Sequence, residues 1–135
     1  MVIKGGSFTD TRGRIKFNNE FDASKIKRVY TIENSSTDFI RGWQGHAIES
    51  RWFSCIQGSF RIAVINVDDF DDPSQNLEAE EFILSQENLD ILHILPGRIT
   101  AIQALEENSK LLVFADYLLG ELNDEYRFPS DYFKN

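Results

Sequence analysis

Cysteine, histidine, proline and long apolar runs are all scarce in this chain, and each scarcity removes a class of protein. A single cysteine, Cys55, stands among 135 residues, so no intramolecular disulfide can staple the fold. No stretch approaches the ~18 to 20 continuous apolar residues of a membrane-spanning helix. The N-terminal MVIKGGSFTDTRGR has no apolar signal-peptide core, and a cytoplasmic protein is expected. Positive charge is also short: 14 basic against 22 acidic residues leave a net charge of −8. A nucleic-acid backbone would be repelled by that mean field. A small anionic ligand is still permitted, because a few arginines can override the global charge through bidentate contacts. The acidic run 68–75 lacks the central glycine and terminal glutamate of an EF-hand, and reads as a solvated loop. No nucleophile-elbow sequence supports a hydrolase triad.

Aromatic residues, in contrast, are plentiful, with 11 Phe, four Tyr and two Trp, which favours pleated packing. Segments 13–20, 26–34, 50–58, 59–67, 78–86, 90–97, 99–105 and 110–119 alternate or run apolar at strand length. Turn-forming residues separate them, among them Gln57-Gly58-Ser59, Asp72-Pro73-Ser74 and Pro96-Gly97. Many short strands at near-regular spacing predict an antiparallel all-β sandwich or barrel. The length suits one domain covering 1–135, with no linker and no internal repeat. The C-terminal NDEYRFPSDYFKN carries Tyr126, Phe128, Tyr132 and Phe133; such a tail is expected to pack on the body or on a neighbouring subunit. Cys55 lies in a strand-like run beside Phe53 and Ile56 and reads as a small buried hydrophobe.

Three features occur in a telling order. Arg41-Gly42-Trp43-Gln44-Gly45-His46 follows the IKRVYTI strand and precedes RWFSCIQGSFRIAVINV. Leu95-Pro96-Gly97 then joins two strands, and Asp116-Tyr117 ends the last long one before the aromatic tail. Over roughly residues 8 to 133 this pattern resembles the cupin enzymes of nucleotide-sugar metabolism, the dTDP-4-dehydrorhamnose 3,5-epimerases and the dTDP-4-keto-6-deoxyglucose 3,4-ketoisomerases, WxcM-like proteins included. The resemblance implies a double-stranded β-helix (jelly roll) and proton abstraction and return beside a carbonyl, which requires a base and a group to hold the enolate. A neutral imidazole is suited to that work.

The resemblance also implies a site. Its motif places a first histidine at Gln44, whose amide cannot abstract a proton near neutral pH, and in the ketoisomerases a second at His46. His46 is therefore the expected acid/base, with Glu49 or Tyr117 as partner. Arg41 and Arg51 are the expected binders of pyrophosphate or enolate oxygen, Trp43 is expected to stack on a sugar or base ring, and Gln44 completes the substrate-binding set. The epimerases' further histidine has no counterpart in Arg98-Ile99-Thr100. Simpler roles compete: surface ion pairs for the arginines, core or interface packing for Trp43 and Trp52, and a packed strand position for His93.

Two histidines and one cysteine do not supply four ligands at cupin spacing, so no metal is expected, and the resemblance implies no cofactor. A small-molecule nucleotide sugar is the expected partner, in a homodimer formed through N-terminal strands and sheets. The alternatives are a nucleotide-sugar-binding cupin that has lost its base, and a structural domain whose barrel is filled by Phe and Trp.

Overall fold

The structure, a computed structural model, describes residues 1–134. Among these every regular element is a strand: β1 (Val2–Ile3), β2 (Gly6–Asp10), β3 (Gly13–Phe17), β4 (Arg28–Ile32), β5 (Ile40–His46), β6 (Arg51–Gln57), β7 (Ser59–Asn66), β8 (Glu80–Ser85), β9 (Ile91–Ile94), β10 (Arg98–Ala104), β11 (Lys110–Ala115) and β12 (Glu125–Arg127). Two antiparallel five-stranded sheets form, in the orders β1-β9-β6-β11-β4 and β12-β5-β10-β7-β8, with β2-β3 as a separate hairpin. This is the expected cupin jelly roll.

Alternation along each strand explains why the sheets stack. In β7, Phe60 and Ile62 are fully buried between the sheets, where Phe53, Leu84, Leu92, Ile102, Leu111 and Val113 meet them. The intervening Ala63 and Ile65 face the other side of the same strand and join a second apolar cluster. A strand covered on both faces reads as a nearly continuous apolar run, which is what IAVINV is. Cys55 lies in the first cluster; burial pushes its thiol up to about 11, so it packs as an apolar side chain and is not a nucleophile at neutral pH.

The second cluster is where the tail goes. Trp43, Ile99 and Ala101 on the outer face of the β5-β10-β7 region are covered by Phe128, Tyr132 and Phe133. Phe133 meets the Trp43 ring edge-on at 5.4 Å, and the Trp43 and Phe128 backbones exchange hydrogen bonds of 3.0 and 2.9 Å. The tail therefore packs on its own body and supplies β12; its last residue, Asn135, lies outside the described residues. Trp52 also faces outward, stacked on His93 with 4.6 Å between ring centroids. Neither tryptophan fills the barrel, and Phe53 and Phe60 occupy only its closed, apolar part.

The apolar stretch 110–119 ends as a strand at Ala115, because the Asp116 carboxylate turns to accept the Ser50 amide at 2.9 Å. β5 had no alternation to announce it. Its two glycines instead permit close approach: a methyl on Gly45 would stand 2.1 Å from the Arg98 carbonyl oxygen. Gly45→Ala is expected to destabilise the protein by about 1–3 kcal/mol, the usual cost of forcing extra volume into a packed site, measured by urea unfolding. An unchanged midpoint would mean that β5 and β10 are less tightly apposed than the structure shows.

Candidate functional site: a buried histidine–aspartate pair at the barrel mouth

Strand register places the polar residues. Across the inner face of the second sheet, His46 on β5 stands opposite Glu125 on β12 and Arg98 on β10, and Gln44 stands opposite Arg127 and Thr100. Directly opposed residues in a sheet share a face, so two polar rows cross one end of the barrel. On the first sheet, Arg51 on β6 lies opposite Ala115 on β11, which in turn pairs with Arg28 on β4. Arg28 and Arg51 thus face the mouth from the other side. Sequence pattern finds β6 but cannot show that Arg28, 23 positions earlier, becomes its neighbour but one.

The β5–β6 turn brings Glu49 between the two sheets. Its Oε2 accepts from Arg51 Nε at 2.9 Å and lies 3.6 Å from an Arg28 amino group. Glu49 is 6% exposed; a carboxylate so deeply placed needs cationic partners to offset its lost hydration.

His46, also buried, is held from the other side. Its Nδ1 lies 2.9 Å from Asp124 Oδ1, while Asp124 Oδ2 accepts the backbone amides of Ile48 and Glu49 at 2.9 and 2.8 Å. Burial alone would raise the Asp124 pKa, but the hydrogen bonds from the His46 ring and from the Glu49 and Ile48 amides together outweigh it. The result lies below the ordinary carboxylate value. An ionised Asp124 can only accept, so it takes the Nδ1–H of His46, and Nε2 is the ring nitrogen it leaves uncommitted. That Nε2 is buried with no hydrogen-bond partner and sits 3.5 Å from Glu49 Oε2. An ionised carboxylate orienting an imidazole in a cavity wall, with its second nitrogen left without a hydrogen-bond partner, is an acid/base arrangement.

The cavity beside this pair measures about 130 Å³ and is lined by Arg28, His46, Glu49, Arg51, Asp124 and the 118–123 loop. Ligand pockets that bury a whole drug-sized molecule run to roughly 300–1,000 Å³, so this one encloses only a portion of such a molecule and leaves the rest at the rim. A larger concavity, about 600 Å³, lies on the outer face of the second sheet beside Trp43 and Ala101. Its Arg61 is paired with Glu81 at 3.7 Å and Gln103 at 3.2 Å, and it holds none of the groups just described.

The structure brings together His46, Glu49, Arg51 and Gln44. It does not bring Arg41 to them: Arg41 is five positions back on the strand, roughly 15 Å at strand rise, where it hydrogen-bonds Asn34 at 3.3 Å. Trp43 points to the outer face and is covered by Phe133, because β5 alternates and Gln44 takes the inward position. Tyr117 follows the end of β11 and has Lys27 against its ring at 5.7 Å; it lines neither cavity at His46. Asp124, Arg28, Arg98 and Glu125 escaped the sequence reading. The tail's aspartates and glutamates look alike in sequence, and nothing local marks Asp124 as the one whose strand pairs beside His46.

A jelly roll with a charged, histidine-bearing mouth is the cupin arrangement, and comparison with known proteins places it more narrowly. The family described as FdtA: WxcM-like, C-terminal matches residues 2–135; the chain belongs to that family. Among solved structures it resembles a double mutant of the QdtA 3,4-ketoisomerase from Thermoanaerobacterium thermosaccharolyticum in complex with TDP, with 25% identity, 98% of this chain and 90% of that one covered, and a TM-score of 0.73. The WlaRB TDP-quinovose 3,4-ketoisomerase from Campylobacter jejuni has 19% identity, 100% and 97% coverage and a TM-score of 0.71. The rmlC epimerase of Mycobacterium tuberculosis has 15% identity, 96% and 68% coverage and a TM-score of 0.73. No curated protein matches the sequence. The chain thus shares its fold with TDP-sugar 3,4-ketoisomerases and with the rmlC epimerase.

The depressed Asp124 pKa has a measurable consequence. A group whose folded pKa is lowered stabilises the protein fully above its unfolded pKa, ~3.9 for aspartate, and that stabilisation is lost as pH falls through the folded value. Asp124→Asn is expected to cost about 2 kcal/mol at pH 7, the scale of hydrogen bonds to a charged group. The gap from the parent should narrow below about pH 4; urea titrations from pH 7 to pH 2 read it directly. A gap independent of pH would show that Asp124 is not the ionised partner.

Proposed function

We propose that the chain is a nucleotide-keto-sugar isomerase of the 3,4-ketoisomerase kind, and the observation that carries this reading is the buried His46–Asp124 pair with an unpartnered Nε2 at the cavity. His46 Nε2 takes the proton from the carbon beside the carbonyl, and the C–H electron pair forms an enediolate with the carbonyl carbon. The proton returns to the former carbonyl carbon, while the hydroxyl proton passes between the two oxygens. One base on one face serves both transfers. Epimerisation requires return of the proton from the opposite face, and Tyr117 lies apart from the cavity, which favours isomerisation. Asp124 holds the tautomer and balances the imidazolium; Arg51, Arg28 and Arg98 supply the positive field for enolate oxygen and pyrophosphate. Arg28 and Arg98 take the role expected of Arg41, and Glu49 positions Arg28 and Arg51 rather than carrying the proton itself. No step calls for a metal or cofactor.

The same reading puts the protein in cytoplasmic deoxysugar synthesis for surface polysaccharide. It also takes the homodimer as the working form. Support for that comes from the β2-β3 hairpin, where register sets Phe8 beside Ile15 and leaves them 56% and 59% exposed. Phe8→Glu with Ile15→Glu is expected to convert a dimer to monomer in light scattering. A parent protein that is already monomeric would refute the dimer.

The functional test is incubation with dTDP-4-keto-6-deoxyglucose in D₂O, following product and deuterium uptake by NMR. Turnover is expected, with His46→Asn lowering kcat by at least ~100-fold, the lower range for a lost acid/base, while binding persists. Binding without turnover or exchange in the parent protein would favour the alternative, a nucleotide-sugar-binding cupin without chemistry.

A further inference from the structure

Gln44 lies two positions before His46 on the same inward face, so its side chain starts about 7 Å along the strand from the imidazole. It lines a narrow cleft of about 10 Å³ with Arg98 and Thr100, which adjoins the cavity described above through the shared His46, Glu49 and Arg51. Its amide orientation is fixed by a neighbour. Gln44 Nε2 donates to Glu125 Oε2 at 3.0 Å, and Arg127 Nε donates to the other oxygen of that carboxylate at 2.8 Å. Burial alone would raise the Glu125 pKa, but the hydrogen bonds from Arg127 and Gln44 outweigh it and hold it below the usual value. An ionised carboxylate has no proton to give. The Gln44 NH₂ must therefore turn toward Glu125, and the Oε1 must turn away from it. Among the described residues nothing donates to that oxygen.

A carboxamide whose NH₂ is committed to a carboxylate turns its oxygen toward the inner face that His46 shares, where it is a receptor for a hydroxyl. We infer that Gln44 is a specificity-determining residue that accepts a hydrogen bond from a sugar hydroxyl next to the reacting pair of carbons, with Glu125 and Arg127 setting its orientation. This rests on the isomerase reading above. In a 4-keto-6-deoxy sugar whose carbonyl moves between C4 and C3, the flanking carbon that bears a hydroxyl is C2; the other flanking carbon, C5, bears none. Gln44 therefore selects for a 2-hydroxyl, and a 2-deoxy sugar leaves the locked oxygen facing the ligand unpaired. Sites built to bond a hydroxyl discriminate far more strongly against its absence than apolar pockets do against its presence.

The experiment compares kcat/KM for dTDP-4-keto-6-deoxyglucose and its 2-deoxy analogue in the parent protein, Gln44→Leu and Glu125→Gln. The parent is expected to prefer the 2-hydroxy substrate at least ~10-fold, the factor that one hydrogen bond of about 1.4 kcal/mol supplies. Gln44→Leu should bring the ratio within about twofold of unity by slowing the 2-hydroxy substrate alone. Glu125→Gln, which frees the amide to turn over, should give an intermediate ratio while leaving Gln44 itself in place. A preference that survives in Gln44→Leu overturns the assignment, as does a parent protein that treats both sugars alike. A parent protein that neither binds nor turns over either sugar removes the isomerase reading itself, and this assignment with it; failure of the specificity alone leaves turnover of both sugars intact.

Discussion

The carboxylate of Asp124 is the point on which the functional end of this protein depends. Its Oδ1 meets the His46 ring and its Oδ2 receives the amides of Ile48 and Glu49. One side chain thereby ties the C-terminal segment to the β5–β6 turn and sets the imidazole. The Glu49 amide would otherwise be a buried donor without an acceptor, at a cost of roughly 1–3 kcal/mol. With the turn fixed, Glu49 reaches Arg51 and Arg28, and the turn's carboxylate balances two cations of the first sheet at the mouth. The tail's aromatic residues anchor the same segment from outside, through Phe128 and Phe133 on Trp43. The packing of the tail and the geometry of the site are thus two effects of one docking event.

The barrel divides its length between stability and chemistry. One part is closed by Phe53, Phe60, Ile62, Leu92, Leu111 and Val113, none more than 1% exposed, and has no room for a ligand. The other end carries His46 and three arginines on strands of the same sheets, with Glu49 and Asp124 on the segments between strands. A chain with net charge −8 concentrates cations where an anionic substrate would enter and leaves its acidic excess on the outer surface and in loops such as 68–72. The rigid apolar half holds the strands whose ends present the reactive groups, which is how a site keeps its geometry.

Fold class was legible because the evidence for it is local. Alternation in β6, β7, β10 and β11, with turns at Gly58 and Gly97, suffices for a sandwich of short strands, and Gly58 and Gly97 do adopt positive φ values of 73° and 85°. Their left-handed conformation is the reason glycine stands at both turns. β5 was not legible as a strand, since its glycines serve close packing against β10 rather than alternation. The motif on it was legible, but not which residues face inward: alternation along β5 turns Trp43 away from Gln44 and His46, and Arg41 lies beyond a register shift, opposite Ile102. Asp124 and Glu125 join the site through pairing of β12 to β5 across about 80 residues of chain, a relation that no local pattern carries. The sequence shows candidate chemistry; non-local pairing decides which candidates meet.

The central claim is that Asp124 holds His46 with Nδ1 protonated and Nε2 directed at the substrate. The most direct measurement is NMR of protein labelled with ¹⁵N in histidine, reading the His46 ring nitrogens near neutral pH before and after addition of the nucleotide keto-sugar. The account predicts a proton on Nδ1 in the free protein and a displaced Nε2 resonance on binding, both lost or altered in Asp124→Asn. A free protein with its proton on Nε2, or an Nε2 resonance indifferent to a sugar that demonstrably binds, would contradict it.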